Sequence, residues 1–143
     1  MQSCSTYDDV NLILKLYEIR REQRMREARA WFAKSFRAAT LEEFNTICPP
    51  GSEENSSFRQ VTTYWEMVAS FVNGGVLQKD LFFESGRELL VVWVRLEPLL
   101  AELRQAFSDP TQFGNLEKVA KDFIACWEER APGAYEAFRG RIA

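Results

Sequence analysis

The sequence predicts an all-α fold: an antiparallel bundle of about five to seven helices, with a long N-terminal helix and a central helix kinked around Pro98. Two observations carry that reading. Apolar residues recur at helical spacing in two stripes, Phe58, Val61, Trp65, Val68, Val72 and then Leu89, Val92, Trp93, Leu96, Leu100, Leu103, Phe107. Between them stand Asn73-Gly74-Gly75, a helix stop, and Ser85-Gly86-Arg87-Glu88, which has the spacing of a capping box. No segment alternates convincingly as a half-buried strand does, and no internal repeat is present.

Thr6 is placed to cap the first helix, with Asp8 and Asp9 in the turn where the helix dipole favours negative charge. From there to about Ala38 neither Gly nor Pro interrupts the chain, so one long helix is expected. Val10, Leu14, Tyr17, Met25, Ala28, Phe32 and Phe36 form its stripe, near heptad spacing, interrupted by Arg21. A bend or break is expected near Ala38-Ala39-Thr40. There Thr40-Leu41-Glu42-Glu43 reads as a capping box that restarts a short helix to Ile47.

Cys48 to Ser57, with two prolines and a glycine, is the clearest loop, and Ser56 or Ser57 is placed to cap a third helix from Phe58 to Asn73. Val76 to Glu84 holds one or two helical turns, with Leu77, Leu81 and Phe82 inward. Ser85 and Glu88 then open the long fifth helix, to about Phe107. Pro98 falls inside it, where its ring removes a hydrogen bond and crowds the preceding turn. Val91 and Val94 widen this apolar face, which makes the helix central. After the Ser108-Asp109-Pro110 turn, Asn115 caps a helix with Leu116, Val119, Ala120, Phe123 and Trp127 inward. Ala131-Pro132-Gly133 ends it, and Tyr135, Phe138 and Ile142 mark a short terminal helix.

A chain of 143 residues is one domain, 1–143. At this size it buries roughly 68–70% of its unfolded surface, so it needs neither disulfide nor metal to hold a core. Four Trp and eleven Phe supply that core. The net charge of −3 argues against a general nucleic-acid binder, which needs a basic surface. Cys4, Cys48 and Cys126 are odd in number and widely spaced, which reads as reduced thiols rather than a disulfide framework. The longest strongly apolar run, Leu89 to Val94, is far short of a membrane span and is bracketed by Arg87 and Arg95. The first residues lack the basic and apolar regions of a signal peptide. A soluble, cytoplasmic protein is expected.

The absence of histidine removes Ser-His and Cys-His nucleophile pairs, the common zinc sites and the usual helix-bundle di-iron site. Glu66, Glu84, Glu88 and Glu97 could form a carboxylate-only magnesium or calcium site. The competing reading gives Glu88 a capping role and the others solvated positions, and that reading is preferred: no metal and no cofactor are expected. Gly74-Gly75 and Gly86 follow no strand and lack the Lys-Ser/Thr of a phosphate loop.

Arg20, Arg21, Arg24 and Arg26 form a basic run that could contact an anion or an acidic partner. Interleaved acids suggest instead a solvated face held by Glu18–Arg21 and Glu22–Arg26 pairs. Trp31, Trp65, Trp93 and Trp127 fall on different helices. Tyr64, Trp65, Trp93 and Trp127 could line a ligand pocket, although such rings more often fill a core. Trp31, beside Phe32, could anchor a partner.

The order of these features resembles a known family. It comprises the Arg/Glu-rich first helix (Arg20-Arg21-Glu22-Gln23-Arg24), the aromatic helix ending in Asn73-Gly74-Gly75, and Leu81-Phe82-Phe83-Glu84. Trp93, Leu96, Pro98 and Leu99 follow in the helix ending Glu102-Leu103-Arg104, and then Asn115-Leu116-Glu117-Lys118-Val119-Ala120. From about Leu12 to Phe123 the chain is similar to an uncharacterised bacterial family of small all-helical domains of unknown function. The resemblance implies an all-α fold and brings no activity or site residues. Members often carry a membrane-spanning segment before the first helix, a pattern from which this chain departs.

The sequence therefore points to a non-enzymatic protein-interaction or scaffold module. It would offer its N-terminal helix to a protein partner or to its own copy, with no specific nucleic acid and no membrane span. The alternative is a small-molecule binder with a Trp-lined pocket between the third and fifth helices.

Overall fold

The apolar stripes become helices. The computed structural model describes residues 4–143. Among them lie eight helices and no strand: α1 (Tyr7–Arg20), α2 (Gln23–Ser35), α3 (Leu41–Ile47), α4 (Glu53–Asn73), α5 (Lys79–Ser85), α6 (Glu88–Ala106), α7 (Gly114–Arg130) and α8 (Ala134–Ile142). None of these is long and apolar enough to cross a membrane.

The first helix is not continuous to Ala38. It breaks at Arg21-Glu22, and α2 ends at Ser35. The cause is local: the Glu22 carboxylate accepts hydrogen bonds from the backbone N–H groups of Arg24 and Met25, both at 3.1 Å, and so caps α2. The same hydrogen bonds lower the pKa of Glu22. α1 starts where expected, with Asp9 N donating to Thr6 Oγ1 at 3.2 Å and Thr6 N donating to Asp9 at 2.7 Å.

Other boundaries shift for similar reasons. Thr40 caps α3 through Glu43 N at 3.1 Å, but the Glu43 carboxylate reaches back to Ala39 N. α4 begins at Glu53 rather than Phe58, under Ser52, not Ser56 or Ser57. The Ser85–Glu88 capping box does not form. Gln78 caps α5, α6 starts without a side-chain cap, and Glu88 pairs with Arg29 of α2, with Nε to Oε2 at 2.9 Å. Asn115 does not cap α7 either. Phe113 occupies the cap with φ 58°, and Glu66 of α4 accepts from Leu116 N at 2.9 Å and from Asn115 Nδ2 at 2.8 Å. A carboxylate on one helix thus caps the start of another.

The core forms around α4 and α6. α4 packs on α2 and α7, while α6 packs on α3, α4, α7 and α8. All five residues of the α4 stripe are buried, and on α6 Leu89, Leu90, Val92, Trp93, Val94 and Leu96 are buried in near-unbroken succession, as a central helix requires. Pro98 lies on the exposed side of α6 and does not end it. Phe32, Phe36, Phe44 and Phe58 join α2, α3 and α4, with ring centroids 5.0 Å apart for Phe32–Phe36 and 4.8 Å for Phe44–Phe58. Each such pair adds about 0.5–1.5 kcal/mol beyond its burial.

Arg95 is the unexpected core residue. It keeps only 6% of its surface exposed. Its Nη1 donates to the carbonyls of Phe32 and Phe36 at 3.1 and 2.8 Å, its Nη2 to Ala33 at 3.0 Å, and its Nε to Ile142 at 2.7 Å. One guanidinium therefore ties together the C-terminal ends of α2 and α8, where the dipole is negative; the Phe32 carbonyl also accepts from Phe36 N at 3.3 Å. Burial, with nearby Arg37 adding to it, lowers its pKa.

Candidate interaction surface

α1 lies on the body of the bundle through one face. Asp9 and Leu16 are buried there, with Leu12 and Ile13 packed against the core. Three polar contacts hold the helix along its length. Near its start the Asp9 carboxylate accepts from Gln78 N at 2.9 Å, and this bond and the one from Thr6 N depress the Asp9 pKa. Midway, the Tyr64 hydroxyl donates to the Leu16 carbonyl at 2.6 Å. At its end, Arg29 donates to the Arg20 carbonyl at 3.1 Å.

A second face of α1 turns to solvent and is apolar. Tyr7, Val10, Leu14 and Tyr17 are 79%, 41%, 56% and 46% exposed. Their intervals of three, four and three residues are those of a coiled-coil seam. Val10, Leu14 and Tyr17 therefore belong to the N-terminal stripe seen in the sequence, but not to the core. Met25, Ala28, Phe32 and Phe36 of that stripe are buried.

Beside this stripe runs a cleft of about 310 Å³ between α1, α4 and α5. Ile13, Leu14, Leu16 and Tyr17 form one wall, Val68 and Phe82 the other. Arg20 and Ser85 contribute its polar groups, and Gly86 also borders it. A Cβ on Gly86 would lie 2.5 Å from the Phe82 ring, so that ring rests against bare backbone.

The basic run is divided by the Arg21-Glu22 break. Arg20 turns inward, its guanidinium 5.2 Å from the ring centroids of both Tyr17 and Trp65. The Arg21 guanidinium also lies 5.4 Å from the centroid of the Tyr17 ring. Arg24 donates to Ser57 at 3.2 Å, and Arg26 is exposed. Glu22, expected to pair with Arg26, is the α2 cap. Trp31 is half-buried on α2, packed 5.9 Å from Phe36.

Tyr64, Trp65 and Trp93 are buried within the core, and the Tyr64 ring meets Trp65 edge-on at 5.0 Å. Trp127 sits apart from them on α7, half-buried, with Arg87 4.2 Å above it and Phe138 of α8 5.5 Å away. The four carboxylates weighed for a metal are also dispersed. Glu66 caps α7, Glu84 faces Arg130 at 3.7 Å, Glu88 holds Arg29, and Glu97 is exposed.

A profile of a family described as a domain of unknown function, DUF4760, matches residues 5–123. The chain belongs to the DUF4760 family. No curated protein and no solved structure gives a match. The DUF4760 region takes in α1, its outward stripe, the adjoining cleft and Arg95, and it ends at Phe123 within α7. α8, whose Ile142 carbonyl Arg95 holds, lies beyond it.

The three cysteines of the chain, of which only Cys48 falls within the DUF4760 region, occupy three environments: Cys4 exposed, Cys126 half-buried and Cys48 buried. Burial pushes the Cys48 thiol up to about 11, with Glu54 adding to the shift. A thiol raised in the folded state contributes stability that is present at neutral pH and lost as pH climbs toward that value. Iodoacetamide at mildly alkaline pH is therefore expected to alkylate Cys4 first and to spare Cys48 until the chain is unfolded. Peptide mapping checks this, and early alkylation of Cys48 in folded protein contradicts it.

Proposed function

We propose that this DUF4760 domain is a non-enzymatic interaction module whose α1 pairs with the α1 of a second copy. The observation that carries the reading is the outward stripe of Tyr7, Val10, Leu14 and Tyr17, apolar side chains set at seam spacing on a helix already anchored along another face.

A two-fold arrangement lets the same stripe on each copy cover the other. A helix of this length is about 21 Å long. One such contact stays in the small, transient class of interfaces, with affinity in the micromolar range.

The reading as non-enzymatic is supported by the lack of histidine and by the structural roles of Glu66 and Glu88. Three cysteines with no disulfide among them fit a reducing compartment, the cytoplasm. The Trp-lined pocket finds no support at Trp65 and Trp93, which serve as core side chains.

Light scattering over a concentration series tests the pairing. The apparent mass is expected to rise from one chain toward two, and Leu14→Glu, at an exposed position, is expected to hold it at one. A single-chain mass at every concentration overturns the proposal.

A further inference from the structure

The cleft beside α1 carries a cation without an anionic partner. Among the described residues Arg20 makes no ion pair; its guanidinium is hydrogen-bonded to the Tyr64 side chain, and its Nε is buried with no acceptor. The carboxylate two residues beyond Gly86, Glu88, is taken by Arg29. The Nε N–H is spent on no acceptor within the chain, so the guanidinium keeps unused donor capacity and an unneutralised charge at the edge of the cleft. The Tyr17 and Trp65 rings, each 5.2 Å from the guanidinium, hold it in place by cation–π attraction.

The rest of the cleft is oily. Ile13, Leu16, Val68 and Phe82 offer aliphatic and aromatic surface, and Ser85 adds one hydroxyl. Its volume of about 310 Å³ is at the lower end for a ligand site, which limits the occupant to a small molecule.

We infer that this cleft binds a small apolar monocarboxylate, such as a medium-chain fatty acid, with the carboxylate on Arg20 and the chain along Ile13, Leu16 and Phe82. A carboxylate meets the guanidinium charge through charge-assisted hydrogen bonds, and the tail covers apolar wall. A cationic amphiphile of the same length meets the same walls but an opposing charge.

The inference does not rest on self-pairing, although Leu14 and Tyr17 belong to both the stripe and the cleft lip. Its test is therefore run on the full chain at a dilution where light scattering reads a single chain. Equilibrium dialysis with labelled octanoate is expected to show saturable binding at one site. Arg20→Met, which keeps an unbranched apolar stem and removes the charge, is expected to weaken it by about tenfold or more. Octylammonium is expected not to bind. Should Arg20→Met lose helicity, Leu14→Glu at the exposed lip is expected to weaken octanoate similarly by placing a like charge at the mouth. Absence of saturable octanoate binding, equal binding of octylammonium, or undiminished affinity in a folded variant overturns the inference.

Discussion

Arg95→Met is expected to destabilise the fold by several kcal/mol, since each buried carbonyl left without its donor costs about 1–3 kcal/mol. Methionine fills much of the space but donates nothing. The carbonyls of Phe32, Ala33, Phe36 and Ile142 lose their side-chain donor together, and with it the tie from α6 to the ends of α2 and α8. Because Arg95 is met by carbonyls of helix ends rather than by a carboxylate, no stranded anion remains, and the loss comes from unpaired backbone and freed termini. Arg95→Lys is expected to recover only part of the stability. One compact ammonium cannot span carbonyls on two helices as the guanidinium fork does. Urea unfolding followed by far-UV circular dichroism measures both, and an unchanged midpoint for the Met variant contradicts the assignment.

Trp65→Ala is expected to cost about 3–5 kcal/mol, as truncation of a buried aromatic does. Trp65 is fully buried, and its ring meets Tyr64 on one side and the Arg20 guanidinium on another. Tyr64 is also the tether of α1 through the Leu16 carbonyl, so the cavity left by Trp65 loosens the helix that carries the outward stripe. Were Trp65 a pocket lining rather than a core residue, the same substitution would spare stability and alter only ligand binding. Trp31→Ala, at a half-buried site on α2, serves as the comparison and is expected to cost less. Thermal denaturation of the two variants side by side distinguishes them, and equal melting temperatures contradict the core assignment.

The parts of the fold legible in sequence are those written in apolar spacing. The stripes of α4 and α7, and that of α6 as far as Leu103, specify their inward faces, and Gly74 directly follows the end of α4. Phe107, the last residue of the α6 stripe, lies past the helix end and is 64% exposed. The break at Glu22 was not legible, because glutamate is not among the favoured N-cap residues and the apolar pattern runs past it. The first turn of α4 carries only polar residues from Glu53 to Ser57, so no periodicity marks it. Arg95 escapes a local reading because its partners are backbone carbonyls on helices far away in the chain.

The stripe on α1 shows the limit of periodicity as a signal. Spacing identifies Val10, Leu14 and Tyr17 as sharing a face, yet it cannot say whether a neighbour covers that face. The cleft was likewise hidden, since its walls come from α1, α4 and α5, and no single segment carries its pattern.

The central claim is that α1 turns an apolar face outward for another copy of the chain. Amide hydrogen exchange at low and high protein concentration tests it most directly. Protection of Tyr7–Arg20 is predicted to rise with concentration while that of α4 and α6 stays constant. Exchange in α1 that is identical at both concentrations contradicts the claim.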